Sequence, residues 1–362
     1  RKSVKADIRR CNRAGVRVVM ITGDSSATAR AIAGQVGIPN CGKSVTGDEI
    51  DRMTDGELQA CVRKVNIFSR VVPEHKMRIV KALKANGEIV AMTGDGVNDA
   101  PALKYADIGV AMGKRGSEVS REAADLILLD DNFSTIVDTI QDGRRIYDNI
   151  KKAFGYVFTI HIPIAFSCLL APLLKVNPEN LMLLPLHVVL LELIIDPTCS
   201  IVFERQPAEK NLMERAPRNP QEELIGAKSL LKSALQGLAI FAASFGTYYA
   251  VLQGNPAENA ATARAMGLSI LFISNIFLVL VNSSQTDFAY HSLCLLIKEK
   301  VMWVSFTGII LMLVLALYTP LSFFLKLAPL TGPQVFTVII MSAISVLWFE
   351  LVKLFKAKKR RL

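Results

Sequence analysis

The chain has 362 residues, 51% of them hydrophobic, with a mean hydropathy of +0.35 and a formal net charge of +10. That length allows two or three domains. The apolar excess sits almost wholly in residues 153–352, behind a charged segment of ordinary composition at 1–150. The positive charge gathers in alternate loops and in a basic tail at 353–361, a distribution that membrane topology explains better than a nucleic-acid-binding stripe, so nucleic acid is not an expected partner. The six cysteines show no paired spacing. A reduced, cytosol-facing protein is therefore expected rather than a disulfide framework.

Residues 16–21 form an apolar, strand-like run that ends in Thr22-Gly23-Asp24. Residues 25–36 then read as a helix, with Ser25 as N-cap and Gly37 as its stop. A second helical stretch is expected at 48–65 and a short strand at 66–69. A helix opened by Pro73 follows at 73–85. Residues 89–92, 108–111 and 126–129 are further buried-strand candidates. Strands alternating with helices predict an α/β domain with one mostly parallel sheet covered on both faces. Ligands then collect at the strand carboxyl ends, where Thr22, Asp24 and Asp95 all lie.

The densest chemistry is Met92-Thr93-Gly94-Asp95-Gly96-Val97-Asn98-Asp99-Ala100-Pro101-Ala102-Leu103. Asp95 and Asp99 are oxygen ligands suited to Mg2+. Gly94 and Gly96 allow a sharp turn and a close approach of backbone to ligand.

Residues 134–152 carry a polar helical pattern that runs on into the apolar half, and are read as a stalk helix. Six transmembrane helices of roughly 20 residues are expected near 153–174, 181–203, 230–252, 264–283, 301–325 and 333–353. Loop 204–229 carries Arg205, Lys210, Arg215, Arg218 and Lys228, whereas loop 253–263 has no Lys or Arg. With the first domain inside, the positive-inside rule puts loop 204–229 and the tail in the cytosol. Glu192 and Asp196 fall within the second span, four residues apart and so on one helix face. Ionisable groups at that depth are functional by default, and two carboxylates so close repel unless a cation lies between them. Pro197 leaves the carbonyl of Leu193 without its helical donor, and Pro163 does the same for Thr159. His161 and Asn275 are further polar groups in apolar runs, and complete the candidate set for a transported ion.

The run Thr93-Gly94-Asp95-Gly96-Val97-Asn98-Asp99-Ala100-Pro101-Ala102-Leu103 resembles the hinge signature of P-type ATPases, cation pumps built on a haloacid-dehalogenase-like phosphorylation domain. The resemblance continues through Ile21-Thr22-Gly23-Asp24, Phe68 to Lys76, Asp107 to Gly113 and Asp130-Asp131-Asn132-Phe133. It is closest to the type II group of calcium and sodium/potassium pumps. It implies an α/β haloacid-dehalogenase-like (Rossmann-like) cytosolic domain at 1–133, a stalk at 134–152 and an all-α bundle of six transmembrane helices at 153–362.

For the site, the resemblance implies ATP and Mg2+ as cofactors. Thr22 and Gly23 would donate to phosphoryl oxygens, with Asp24 beside them. Lys76 would offset phosphoryl charge and Asn98 would hydrogen-bond the group. Asp95 would hold Mg2+, with Asp99 supporting that shell. It places Asp196 at an acidic position of the sixth pump helix, and Glu192 where many calcium pumps carry Asn. The acidic ligand of the fifth pump helix appears here as Ile164, near His161 and Pro163.

The nucleophile motif Asp-Lys-Thr-Gly is not in the sequence. Together with a start at Arg1, this reads as a carboxyl-terminal portion, inactive alone and partnered by an amino-terminal half. The alternatives are a truncated, non-catalytic fragment acting only as an assembly partner, and a phosphatase fused to a membrane anchor.

Overall fold

Two threonines punctuate the first domain, each three residues ahead of a glutamate. In Thr46-Gly47-Asp48-Glu49 and Thr54-Asp55-Gly56-Glu57, the threonine hydroxyl accepts the glutamate N–H and the glutamate carboxylate accepts the threonine N–H. These reciprocal capping boxes start two helices, Gly47–Arg52 and Asp55–Val62. The single helix expected at 48–65 is therefore two, split at Met53. The T-x-x-E spacing was the signal for it.

The computed structural model describes residues 3–209, 211–284 and 300–359. It falls into two units, Arg1–Arg144 with Lys210–Asn219, and Arg145–Glu209 with Pro220–Leu362. In the first unit α1 (Val4–Arg13), β1 (Met20–Ile21), α2 (Ser26–Val36), β2 (Val45–Thr46), α3 (Gly47–Arg52), α4 (Asp55–Val62), β3 (Ile67–Ser69) and α5 (Pro73–Ala85) come first. Then follow β4 (Ala91–Gly94), a 3-10 turn (Val97–Asp99), α6 (Ala100–Tyr105), β5 (Ile108–Met112), α7 (Glu118–Ala123) and β6 (Leu126–Leu128). Ser25 caps α2 by accepting the Thr28 N–H, and Gly37 closes it at φ 85°, as the sequence predicts.

All ladders are parallel, but they form two three-stranded sheets, β1-β3-β2 and β4-β5-β6, rather than one. Among the described residues no ladder joins them, so β1 and β4 are both edge strands. Strand β1 is also only two residues long, shorter than the apolar run that precedes Thr22. Around β3 the core is Ile50, Leu58, Val62, Phe68 and Ile79. Around β4 it is Val80, Met92, Ala102 and Leu103.

Helix α8 (Phe133–Leu173) is 41 residues long and contains Pro163 and Pro172. The boundary between the units falls inside it, after Arg144. Arg144 explains why residues 210–219 join the first unit. Its guanidinium donates to the carbonyls of Ala14, Leu212 and Arg215.

The second unit continues with α9 (Pro185–Pro197), a π-helical turn (Thr198–Phe203), α10 (Ala227–Leu252), α11 (Pro256–Asn282), α12 (Lys300–Tyr318), α13 (Leu321–Phe324) and α14 (Gly332–Lys359). Among the described residues five segments are long and apolar enough to cross a membrane: Phe133–Leu173, Pro178–Ile195, Ala227–Leu252, Glu258–Asn282 and Gly332–Phe355. The sixth expected span, 301–325, is a shorter apolar helix over Met302–Tyr318, followed by a break at Thr319-Pro320 and the four-residue α13. Proline removes a donor and closes off the continuous helix.

Helix α11 is the centre of this unit. Of its apolar window 83% is buried, and it packs against α10 and α14. A helix apolar all round belongs inside a bundle. Large apolar side chains such as Leu169, Val304, Phe336 and Phe355 face outward, the reverse of a water-soluble surface and the expected pattern for lipid contact. Glycine lets α8 and α10 approach. A Cβ on Gly237 would stand 2.6 Å from the Thr159 carbonyl oxygen. That oxygen, freed by Pro163, therefore lies against α10 and is not left open for an ion.

One end of the bundle is tied by a buried charge. The Arg264 guanidinium is 2% exposed and donates to the carbonyls of Glu179, Leu181 and Lys326 at 2.6–2.8 Å. His187 Nε2 bonds the Leu325 carbonyl, and the Tyr248 hydroxyl bonds that of Asn180. Removing Arg264 strands three carbonyls, each costing about 1–3 kcal/mol when unsatisfied. Arg264→Leu is expected to lower the thermal stability of the detergent-solubilised chain by several kcal/mol, on the order of that sum. Arg264→Lys is expected to restore only part, since one ammonium cannot reproduce the planar fork. Circular-dichroism melting checks both.

Candidate functional site

The turn after β4 is built around a buried aspartate. Asp99 is 6% exposed. Its Oδ1 accepts the Lys76 ammonium of α5 at 2.5 Å, and its Oδ2 accepts the N–H groups of Asp95 and Gly96 at 3.2 and 3.3 Å. Gly94 is required for this. A Cβ there would come within 2.5 Å of the Asp99 Cβ. With both oxygens engaged, Asp99 shapes the turn.

Asp95 and Asn98 are exposed, and among the described residues their side chains make no hydrogen bond or ion pair. Only the Asp95 backbone is held, its carbonyl accepting the Ser117 N–H and the Ser120 hydroxyl. A single open carboxylate beside a phosphate position suits Mg2+, which uses one or two carboxylates and keeps several waters. The residues present fit that ion, and its chemistry there would be to offset phosphoryl charge. Among the described residues no group of three His, Cys, Asp or Glu side chains gathers as a self-sufficient metal cage.

Thr22, Gly23 and Asp24 follow β1. Thr22 Oγ1 accepts the Asp24 N–H, leaving its own hydrogen free to donate. The carbonyls of Thr22 and Asp24 accept the N–H groups of Val71 and Arg70, so the turn is fixed by backbone. Gly23 is exposed, with open space where a Cβ would be. Ser25, not Asp24, caps α2. Lys76 is brought to the Asp99 turn. Among the described residues no hydrogen bond or ion pair links Thr22, Gly23 or Asp24 to Asp95, Asn98, Asp99 or Lys76.

A further support was not read from the sequence. Asp131 accepts the N–H groups of Lys114 and Arg115 and the Arg115 side chain. Arg121 donates to the carbonyls of Gly113 and Gly116. Together they fix the loop that presents Ser117 to Asp95. Burial opposes the charged form of Asp131, but those donors outweigh it and hold its carboxyl below the ordinary aspartate range. The Asp-Asp-Asn-Phe run was the only clue, and it did not say which aspartate turns inward.

In the second unit the structure pairs His161 with Glu192, Nε2 to Oε1 at 3.2 Å. His161 Nδ1 lies 2.8 Å from the Val157 carbonyl of its own helix. Among the described residues Asn275 bonds neither of them. It is buried and accepts the Tyr156 hydroxyl at 2.5 Å, while its Nδ2 has no partner among the described residues. It reads as an interhelical link between α11 and α8. The side chains of Asp196 and Cys199 lie outside the described residues. Pro197 ends α9, and the Thr198 N–H turns to the carbonyls of Ile194 and Ile195, so the Leu193 carbonyl lacks its usual donor.

A parallel α/β unit with a glycine-flanked aspartate turn stands in one chain with apolar helices of membrane length. Family models agree with each half. Two for haloacid dehalogenase-like hydrolases match residues 2–107 and 77–140, and one for the cation transporting ATPase C-terminus matches residues 180–355. The chain belongs to the P-type cation-transporting ATPases, of whose type II members it matches the carboxyl-terminal portion. A calcium-transporting ATPase of Bacillus subtilis is 37% identical over 349 residues, 95% of this chain and 38% of the relative. Calcium-transporting ATPase 1 of Bacillus cereus is 44% identical over 226 residues, 62% of this chain and 25% of the relative. The human calcium-transporting ATPase type 2C member 1 is 36% identical over 323 residues, 88% of this chain and 34% of the relative. The chain thus spans about a quarter to two-fifths of the length of these relatives.

Two tests follow from the turn. Gly94→Ala is expected to push Asp99 off its N–H donors and to lower stability by about 1–3 kcal/mol, read by thermal melting, with amide exchange accelerated at Asp95 and Gly96. Asp131, with its lowered folded-state pKa, contributes stability that is complete above the unfolded value near ~3.9. That contribution is lost as pH falls through the folded value. Asp131→Asn is expected to flatten the fall of melting temperature on the acid side, measured between about pH 3 and 6.

Proposed function

We propose that this chain supplies the phosphate-site shell and the cation-binding helices of an ATP-driven cation pump. The observation that carries the reading is the locked Asp99–Lys76 turn, which leaves Asp95 as the one open carboxylate of a strand-end phosphate motif. Thr22 and Gly23 donate to the phosphoryl oxygens, Lys76 offsets their charge, and Asn98 completes the donors; in-line transfer depends on such positioning and charge neutralisation. Asp95 is the residue that would hold Mg2+. The nucleophilic aspartate comes from polypeptide outside this sequence. The open edges of β1 and β4 are suited to a strand carrying it between them, which would unite the two half-sheets.

In the membrane, His161 and Glu192, with Asp196, form the cation site, and Asn275 supports the bundle. The cargo is a divalent cation, the class to which the relatives' named ion belongs. The first unit and the carboxyl-terminal tail face the cytosol, with Met302–Tyr318 serving as a sixth, short crossing. Helix α8 is the connection through which the state of the phosphate site reaches the cation site.

Co-expression with an amino-terminal half bearing Asp-Lys-Thr-Gly tests this. The pair is expected to form an acid-stable, Mg2+-dependent phosphoprotein from labelled ATP, and Asp95→Ala in this chain is expected to reduce it at least about 100-fold, the scale of losing a transition-state charge contact. Undiminished labelling of the Asp95→Ala pair would refute the assigned role.

A further inference from the structure

We infer that His75 is the positioning residue that delivers Lys76 to the Asp99 turn, and that it does so by accepting one hydrogen bond and donating another. This deepens the phosphate-site reading above and rests on it for the role of Lys76.

Helix α5 begins without a side-chain oxygen to cap it. Its N-cap is Val72 and its first residue is Pro73, whereas α3 and α4 open on Thr46 and Thr54 with a glutamate at the third position. In α5 the third position is His75. Its Nδ1 faces the Val72 N–H at 3.3 Å, in the place where glutamate accepts in the other two boxes. A backbone N–H can only donate, so Nδ1 is the acceptor. An imidazolium would set two N–H groups against each other there. The ring hydrogen therefore lies on Nε2, which donates to Asp51 Oδ1 of α3 at 2.7 Å. Glutamate could make the first bond but not the second, because its carboxylate would repel that of Asp51.

The ring is closely housed. His75 is 4% exposed, and a Cβ on Gly47 would come within 2.8 Å of its Cε1, so α3 begins with glycine where it meets the ring. His75 and Arg78 are three residues apart and share one face of α5. Arg78 donates to the carbonyls of Ile50 and Met53 and to Asp55. Lys76 follows His75 in the chain, is turned about 100° from it around the helix axis, and reaches Asp99. Arg78 holds the helix one turn further along; His75 holds the turn from which Lys76 projects.

The test reads Lys76 without nucleotide. The purified chain in lipid nanodiscs is labelled with an amine-acylating reagent, and the rate at each lysine is followed by mass spectrometry. Lys84 lies near the other end of α5, bonded to Asp107 and to the Tyr105 carbonyl, and reports any general loosening. In His75→Leu, Lys76 is expected to label about tenfold faster, the scale of a lost helix cap, with Lys84 unchanged. His75→Gln carries both an acceptor and a donor, and is expected to keep Lys76 within about twofold of the unsubstituted rate. The Asp51 side chain is 63% exposed, so Asp51→Ala disturbs no core and is informative even where His75→Leu fails to fold. It is expected to raise Lys76 labelling about threefold, the scale of one hydrogen bond. Unchanged Lys76 labelling in Asp51→Ala, an equal rise at Lys84, or His75→Gln behaving like His75→Leu would overturn the proposal. In the reassembled pump the same variants are expected to slow phosphorylation in the same order. Labelling that follows this order while phosphorylation does not would remove Lys76 from the chemistry and leave the positioning by His75 standing.

Discussion

Asp99 holds the turn after β4 in shape by engaging both of its oxygens. One oxygen is bound to Lys76 and the other to two backbone N–H groups. The buried carboxylate is paired and hydrogen-bonded, the condition under which a charge tolerates burial. Because Asp99 is satisfied internally, the turn can expose Asp95 and Asn98 without collapsing onto them. Gly94 yields the space, Ser117 and Ser120 hold the Asp95 carbonyl, and Asp131 and Arg121 hold the loop that carries those serines. The open carboxylate is thus the end of a chain of closed ones.

The membrane unit follows the opposite logic. Its buried charge, Arg264, ties loops at one end of the bundle through three carbonyls, and its open pair, His161 and Glu192, sits in the spans. Among the described residues this pair is partly exposed, with side chains 46% and 36% accessible. In the longer relatives further polypeptide is present, and the proposed site is one that such polypeptide would complete.

Much of this was legible in the sequence. Periodicity and punctuation located α2, α5 and β3 to within a residue or two, since Ser25, Gly37 and Pro73 are strong local signals. The turn from Asp95 to Asp99 was legible because it is contiguous. The division of 48–65 was also written locally, as two T-x-x-E boxes, but a helical stretch was the stronger pattern. What sequence could not show was pairing at a distance. That Lys76 reaches Asp99, that Asp131 rather than Asp130 turns inward, and that the two strand sets form separate ladders are all tertiary facts. So is the turning of the Thr159 carbonyl onto Gly237. Proline predicts a freed oxygen, but not where it points.

The central claim is that the open carboxylate of the phosphate turn and the His161–Glu192 pair serve one cycle. The most direct measurement is the divalent-cation dependence of phosphorylation in the reassembled pump carrying Glu192→Gln. The account predicts a shift of the half-maximal cation concentration by about tenfold or more, with the Mg2+ requirement unchanged. A cation dependence identical to that of the unsubstituted protein would contradict it.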